Sequence, residues 1–349
     1  MIRFVLRKLL YGLLVLAGVV VLVFFLFQGF GDPARLVLGQ TGDSATINNI
    51  RRELALDQPK WKQFVLYLND VSPLAIHSRE EIQQKQLKGI FIGGQTKLAL
   101  KLPYLRRSYQ TKKNVSEVLL DALPATIVLA LAAMLIATVL GILLGVLAAV
   151  KQGTWLDTSS IFASVLGISA PSFFTGIVLA YVFGFVGSDY TGLHMTGSLL
   201  DVDPFKGSRL QLKNLVLPAV TLGIRPLAVI VQLTRSAMLD VLDQDYIRTA
   251  FAKGLSRRQV VFGHALRNAL NPVITAVTGW FAELLAGAFF VEYIFGWNGI
   301  GRLTVDALEK LDFPVVMGSV LITAACFIVV NLLADILYSI IDPRISMNG

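Results

Sequence analysis

The chain has 349 residues, of which 55% are hydrophobic and only 15% charged, with a mean hydropathy of +0.67. Soluble domains carry about 25% charged residues, so this composition excludes an ordinary soluble protein and indicates several membrane spans. The net charge of +8 lies in loops that flank apolar runs, and no nucleic-acid recognition module accompanies it.

Arg3, Arg7 and Lys8 precede an uncharged run from Leu9 to Phe27. At 1.5 Å per residue that run crosses about 30 Å of hydrocarbon, and its basic flank places the N-terminus in the cytoplasm. It is long for a signal-peptide core and no A-x-A-like site closes it, so we read it as a retained span. Residues 31–116 form a long external segment that opens Gly31-Asp32-Pro33-Ala34. Ile47, Ile50 and Leu54, then Trp61, Phe64, Val65 and Leu68, keep helical spacing, predicting two amphipathic helices broken at Asp57-Gln58-Pro59. Ile90 to Leu102 alternates around Gly93-Gly94 and predicts a small hairpin, for which the sequence supplies no function.

The second span is expected from Leu123 to Val150, with Gly141 and Gly145 at the spacing that lets helices approach closely; contact inside one subunit is favoured over dimerisation. After the turn KQGTWLD comes a third span, Thr158 to Val186. Pro171 lies in its middle, between Ser169 and Ser172, and frees a backbone carbonyl; the stretch is either a cavity wall or a structural kink. Gly187 to Lys213 is external, and Leu215 to Leu233 is the fourth span, with Arg225 near its centre. Val273 to Ile294 is the fifth, with Glu283 in its middle. Each such charge costs about 2.5–3.5 kcal/mol at the bilayer centre. Two readings stay open: Arg225 and Glu283 face a translocation cavity, pairing there or addressing the ends of a zwitterionic peptide, or they form a buried pair that only positions helices. The sixth span, Pro314 to Ile341, has Asp335 near its inner end as an interfacial cap or partner, and ends Asp342-Pro343-Arg344. Apart from the long external segment, about 11 Lys and Arg fall on the proposed inner side and about five on the outer, which supports an N-in, C-in layout.

Between the fourth and fifth spans a polar, basic stretch, Asp243 to Ile274, interrupts the apolar second half, and residues 237–271 are the expected cytoplasmic loop. It reads as two short helices joined at Gly254, which adopts φ > 0 without cost. Asp245 is the expected cap of the first, Ser256 and Gln259 form a capping box for the second, and Pro272 interrupts or kinks that helix. The first helix is too short to persist alone in water. Its face Ile247, Ala250 and Phe251, continuing to Leu255, keeps helical spacing, while Arg248 and Lys253 lie off it. We read this as an apolar plug with a cationic rim offered to a partner; the alternative is a loop helix lying on its own protein.

Asp245-Tyr246 through Leu255, then His264 to Pro272, resemble the pattern D-Y-x-R-T-A-x-A-K-G-L followed by H-A-L-R-N-A-L-x-P. This is the cytoplasmic loop of permease subunits in binding-protein-dependent ABC importers of the dipeptide, oligopeptide and nickel family. Phe251 departs from it, since many relatives carry Arg there. Gly31-Asp32-Pro33-Ala34, the helix pair and Ser108-Tyr109-Gln110-Thr111 resemble the family's first external region, with Ser72 to Arg107 as an insertion. Glu292, Phe295, Gly299 and Gly301 resemble its external E-x-x-F-x-x-x-G-x-G loop, and the Asp342-Pro343-Arg344 ending is also similar.

The resemblance implies an all-α membrane protein of six transmembrane helices with the type I, MetI-like permease fold. The division it suggests is a cytoplasmic flank and first helix over 1–30, an external segment over 31–116, a five-helix core over 117–342 and a tail over 343–349. It also implies that the Asp245–Leu255 helix docks in a cleft of an ATP-binding subunit, that the Glu292–Gly301 loop faces a solute-binding protein, and that a second homologous permease completes the pore. The implied site is the cytoplasmic inner membrane and the implied cargo is peptides, with nickel chelates, glutathione-like peptides or murein peptides as alternatives.

The chain contains no G-x-x-x-x-G-K-[ST], so ATP and Mg²⁺ are expected on partner subunits and no cofactor on this one. An ion-coupled secondary transporter would be favoured by an inverted repeat, and none is visible. An intramembrane enzyme would need a nucleophile and base, or H-E-x-x-H, at membrane depth; neither arrangement is present, and Arg225 with Glu283 is a poor acid and base pair. Cys326 is the one cysteine, and His77, His194 and His264 lack ligand spacing, so neither an intrachain disulfide nor a metal site is expected.

Overall fold

The computed structural model describes residues 2–28, 51, 56–203 and 207–341. The Gly31–Ala34 stretch, the helix expected over Ile47–Leu54 and the Asp342-Pro343-Arg344 ending lie outside them. Five helices are long and apolar enough to cross a membrane: Phe4–Leu26, Val115–Val150, Lys213–Leu242, Arg257–Ala286 and Phe313–Ile336. The remaining expected span is a helix pair, Trp155–Ser169 and Ser172–Val186, bent by 108°. Two small antiparallel sheets accompany the helices.

Contacts divide the chain into two compact units, one built around Pro124–Arg302, the other around Leu6–Leu123 with Leu303–Ala325. In the first, helix α4 (Val115–Val150) starts earlier than expected and runs through Pro124; its 36 residues span about 54 Å, well beyond the hydrocarbon thickness. Gly141 and Gly145 lie against helix α7 (Lys213–Leu242). A Cβ on Gly141 would come 2.7 Å from Ile230 Cγ2, and one on Gly145 would come 2.8 Å from the Val231 carbonyl. The two glycines therefore serve close packing within the chain.

Helix α5 (Trp155–Ser169) ends where the residue before Pro171 leaves helical geometry: Ala170 has ψ 129° and Pro171 ψ 133°. A residue before proline is pushed to extended backbone by the ring Cδ, and here the chain breaks fully before α6 (Ser172–Leu179) instead of kinking. The fifth expected span also needs revision. Helix α9 (Leu266–Gly287) carries Pro272 inside it, and at Ala288 (φ −75°, ψ 1°) the chain turns into a separate helix, α10 (Phe289–Phe295). Leu129, Met134, Leu217, Leu222, Phe295 and Trp297 build the core of this unit. A hairpin of Leu200–Asp203 and Gly207–Leu210, not anticipated from sequence, precedes α7.

In the other unit, helix α1 (Ile2–Gln28) meets α2 (Lys60–Val71) through Phe24, whose ring lies 5.1 Å from Phe64 and 5.6 Å from Tyr67. The expected hairpin is present as β2 (Gly89–Gly93) and β3 (Thr96–Lys101), and β1 (Leu74–Ser78) pairs with β3 to give the order β1-β3-β2. Helix α3 (Arg79–Lys85) begins in a Ser78/Glu81 capping box. The Ser108-Tyr109-Gln110-Thr111 turn is fastened to Asp312, just before helix α12 (Phe313–Ile341). Ser108 Oγ donates to Asp312 Oδ2 at 2.5 Å, and the Tyr109 N–H donates to Oδ1 at 2.9 Å.

Candidate functional site

The loop expected on the cytoplasmic side forms helix α8 (Asp245–Ala252), which stops as its residues dictate. Gly254 has φ +83°, its N–H donates to Phe251 O at 2.9 Å, and the Leu255 N–H reaches Ala250 O at 3.4 Å, a Schellman ending. The next segment starts in the expected capping box, with the Ser256 N–H donating to Gln259 Oε1 at 3.0 Å. The start of α8 differs from expectation. Gln244, with ψ 147°, is the N-cap and makes no side-chain cap. Asp245 is already helical, so its carboxylate meets the N-terminal dipole and accepts from Arg248 Nη1 at 3.5 Å.

The apolar face of α8 divides in two. Ile247 and Ala250 are buried in the chain's own core with Val146, Met238, Val260 and Val261, so these two are not offered to a partner. Leu255 packs partly against the same cluster. Tyr246, Phe251, Arg248, Lys253 and Gly254 are exposed, and a Cβ on Gly254 would meet nothing within 4 Å. Asn268 of α9 donates to Tyr246 Oη at 2.8 Å. Beside this helix opens a cleft of about 820 Å³ lined by Val150, Leu239, Asp243, Gln244 and Arg257 among others, and Arg257 Nη2 donates to Val150 O at 2.8 Å. An apolar anchor below and an aromatic and cationic surface above suit a segment held on one side and gripped on the other.

An ion pair that the sequence reading missed lies in the same unit. Arg235 of α7 binds Asp157 of α5 at 2.5 Å and 2.8 Å through Nε and Nη2, and the Gly153 N–H donates to Asp157 Oδ2 at 3.1 Å. The available signal was the charge at adjacent span ends, Asp157 in KQGTWLD and Arg235 in Thr234-Arg235-Ser236.

Arg225 and Glu283 sit on α7 and α9, which pack against each other, yet both side chains are exposed. Among the described residues neither forms an ion pair, so the pairing expected as one alternative is absent. The exposed face of α9 continues from Glu283 through Gly279 and Thr275 to Asn271 at helical spacing. Ser169 and Pro171 are exposed at the α5–α6 break, and the Pro171 carbonyl accepts from the Thr175 N–H at 3.1 Å.

Glu292, Phe295, Gly299 and Gly301 do come together, but inwardly. Phe295 is in the core, and the Glu292 carboxylate folds onto the start of helix α11 (Ile300–Glu309). Its Oε2 accepts from the Gly301 N–H at 2.7 Å and the Arg302 N–H at 3.2 Å. Glu292 fills the space that a Cβ on Gly299 would need, and a Cβ on Gly301 would come 2.6 Å from the Phe289 Cα and 2.9 Å from Glu292 Oε2. Burial pushes the Glu292 carboxyl up to about 7, against the pull of the Thr126 hydroxyl and the two N–H groups. Neither Glu292 nor Phe295 can therefore touch a partner directly; Phe290, Tyr293 and Asn298 are the exposed side chains here. Among the described residues no cluster of His, Cys, Asp and Glu could hold a metal ion.

Residues 1–130 match the N-terminal part of the membrane component of binding-protein-dependent transport systems, and residues 141–347 match the family described as "Binding-protein-dependent transport system inner membrane component". The chain is 36% identical to the dipeptide transport system permease protein DppB of Escherichia coli K12, with 99% of each chain covered. It is 37% identical to the di/tripeptide transport system permease protein DppB of Pseudomonas aeruginosa, again over 99% of each. The glutathione transport system permease protein GsiC of Salmonella paratyphi A is 35% identical over 99% of each. With its several apolar spans, the chain belongs to the inner membrane components of binding-protein-dependent transport systems as a multi-pass permease subunit.

Proposed function

We propose that this chain is the permease subunit of an ATP-driven importer of di- or oligopeptides and forms half of its pore. The observation that carries the reading is the two-sided construction of α8. Ile247 and Ala250 fasten it to α4, α7 and the residues entering α9, while Phe251, Tyr246, Arg248 and Lys253 remain for an ATP-binding subunit to hold. A push on the exposed side is then carried into three spans at once, because the packed interior transmits strain. ATP and Mg²⁺ sit on two such partner subunits, a second permease supplies the other half of the pore, and an external solute-binding protein delivers the cargo. Both termini are cytoplasmic.

The exposed charges Arg225 and Glu283, with the polar Asn271 and Thr275 on the same face of α9 as Glu283, are costly against lipid, so they line the wet path between the two permeases. A cation and an anion there suit the two ends of a zwitterionic peptide. Glutathione-like peptides, nickel chelates and murein peptides would travel by the same mechanism.

The test is uptake of a labelled dipeptide into vesicles containing this chain with its partner subunits and binding protein. Uptake should need ATP and every partner; uptake driven by an ion gradient alone would sink the reading. With Cys326 replaced by Ala, a Phe251→Cys chain should crosslink to the ATP-binding subunit. Failure to capture it, or modification of that cysteine from the external side, would remove the coupling role.

A further inference from the structure

The sheet of the external segment has one covered face and one bare face. Ala75, His77, Ala99 and Lys101 are buried, whereas Leu74, Ile76, Ile90, Ile92, Leu98 and Leu100 are each more than half exposed. Strand register places these six in two rows, Leu74–Leu100–Ile90 and Ile76–Leu98–Ile92, with no polar side chain between them.

Helix α2 extends this surface. Asn69 closes the free edge of β1, donating to Ile76 O at 2.8 Å and accepting from the Ile76 N–H at 2.9 Å. Asp70, the next residue, lies on the covered side, where its carboxylate accepts from Lys85 and its carbonyl from Lys101. At about 100° per residue, Leu68 then projects to the bare side, with Trp61 and Val65 on the same stripe. All three are exposed. Phe64 and Tyr67, on the adjoining stripe, meet Phe24 and Phe25 near the outer end of α1. The bare surface thus continues into the exposed Leu22, Phe25 and Leu26 of a membrane-spanning helix.

We infer that this surface, Trp61, Val65 and Leu68 with the six aliphatic residues of the sheet, rests in the outer leaflet of the bilayer beside α1. Contiguous apolar area of this kind marks an interaction surface, and three features select lipid. It adjoins a transmembrane helix. It lacks the hydrogen-bonding groups that protein interfaces carry at about one per 100–200 Å². The segment 56–114 has eleven Lys and Arg against four Asp and Glu, with Lys60 and Lys62 beside Trp61, a composition suited to anionic headgroups.

Nitroxide labels at Ile92→Cys and Leu98→Cys, in the full chain with Cys326→Ala and its copurifying subunits, would read this in vesicles of phosphatidylethanolamine and phosphatidylglycerol. Labels at Leu22→Cys and Glu80→Cys give the lipid and water references, and Leu74→Cys and Ile90→Cys read the other row. The ratio of oxygen to nickel-complex collisions should shift from the Glu80 value to the Leu22 value. A ratio equal to that at Glu80 would put the sheet in water and overturn the inference. Low access to both agents would overturn it too, by showing that a protein, such as the binding protein or second permease, covers the face. These outcomes do not depend on the cargo, so they stand apart from a failure of the peptide reading.

Discussion

Arg235 grips Asp157 with two parallel hydrogen bonds of 2.5 Å and 2.8 Å, tying the C-terminal part of α7 to the first turn of α5 about three helical turns before α8 begins at Asp245. Bidentate guanidinium–carboxylate geometry is the strong form of ion pair, and the Asp157 side chain is 6% exposed. Removing one partner strands the other charge. Asp157→Asn should cost on the order of 2 kcal/mol, less than the 3–5 of a fully buried pair because solvent still reaches Arg235. The thermal midpoint of the purified complex should fall, and the Asp157→Arg/Arg235→Asp exchange should recover part of it. Equal midpoints for Asp157→Asn and the native chain would show that the pair contributes nothing.

The two halves of α8 predict opposite phenotypes for neighbouring residues. Ile247 is 1% exposed, so Ile247→Ala should destabilise the chain by about 2–5 kcal/mol through lost burial and a cavity. Phe251 is 45% exposed, and Phe251→Ala should change stability by about 0.5 kcal/mol or less while lowering uptake and retention of the ATP-binding subunits. Thermal unfolding and copurification measured on both variants separate the effects. If Phe251→Ala unfolds the chain and Ile247→Ala only uncouples it, the assignment of the faces is reversed.

Glu292 gives a pH dependence whose sign follows from its burial. Its carboxyl is raised from 4.5 to about 7, so the folded chain holds this proton more tightly than the unfolded one. The stabilisation is complete below about 4.5 and is lost as pH rises through about 7, amounting to roughly 3 kcal/mol over the window. Glu292→Gln, which cannot ionise, should flatten this part of the stability profile. A profile between about pH 5 and pH 8 that is identical in the two chains would refute the shift.

Close approach of α4 and α7 depends on Gly145, where an added Cβ would come 2.8 Å from the Val231 carbonyl and 2.5 Å from Thr234 Cβ. Backbone cannot yield as a flexible side-chain tip can. Gly145→Ala should destabilise by about 1–3 kcal/mol through overpacking, read as a lower thermal midpoint of the purified protein. The same substitution at Gly254 meets open space but φ +83°, so its cost is about 1–2 kcal/mol of backbone strain instead.

The sequence by itself determined the membrane class, the approximate places of the apolar spans, the Ser256–Gln259 box and the stop at Gly254, because apolar length, capping and permitted φ are set within a few adjacent residues. It also located the polar loop whose residues match permease relatives. Tertiary structure decided which side of each element faces the protein. Helical spacing put Ile247, Ala250 and Phe251 on one face, but only contacts with Met238 and Val260 made the first two an anchor and left the third outside. Spacing alone likewise could not show that Glu292 points at Gly301, that Arg235 meets Asp157, or that β1 joins the hairpin and leaves six aliphatic side chains bare. Those outcomes depend on groups far apart in the chain, whose meeting is fixed by packing of the whole unit and not by the local order of residues.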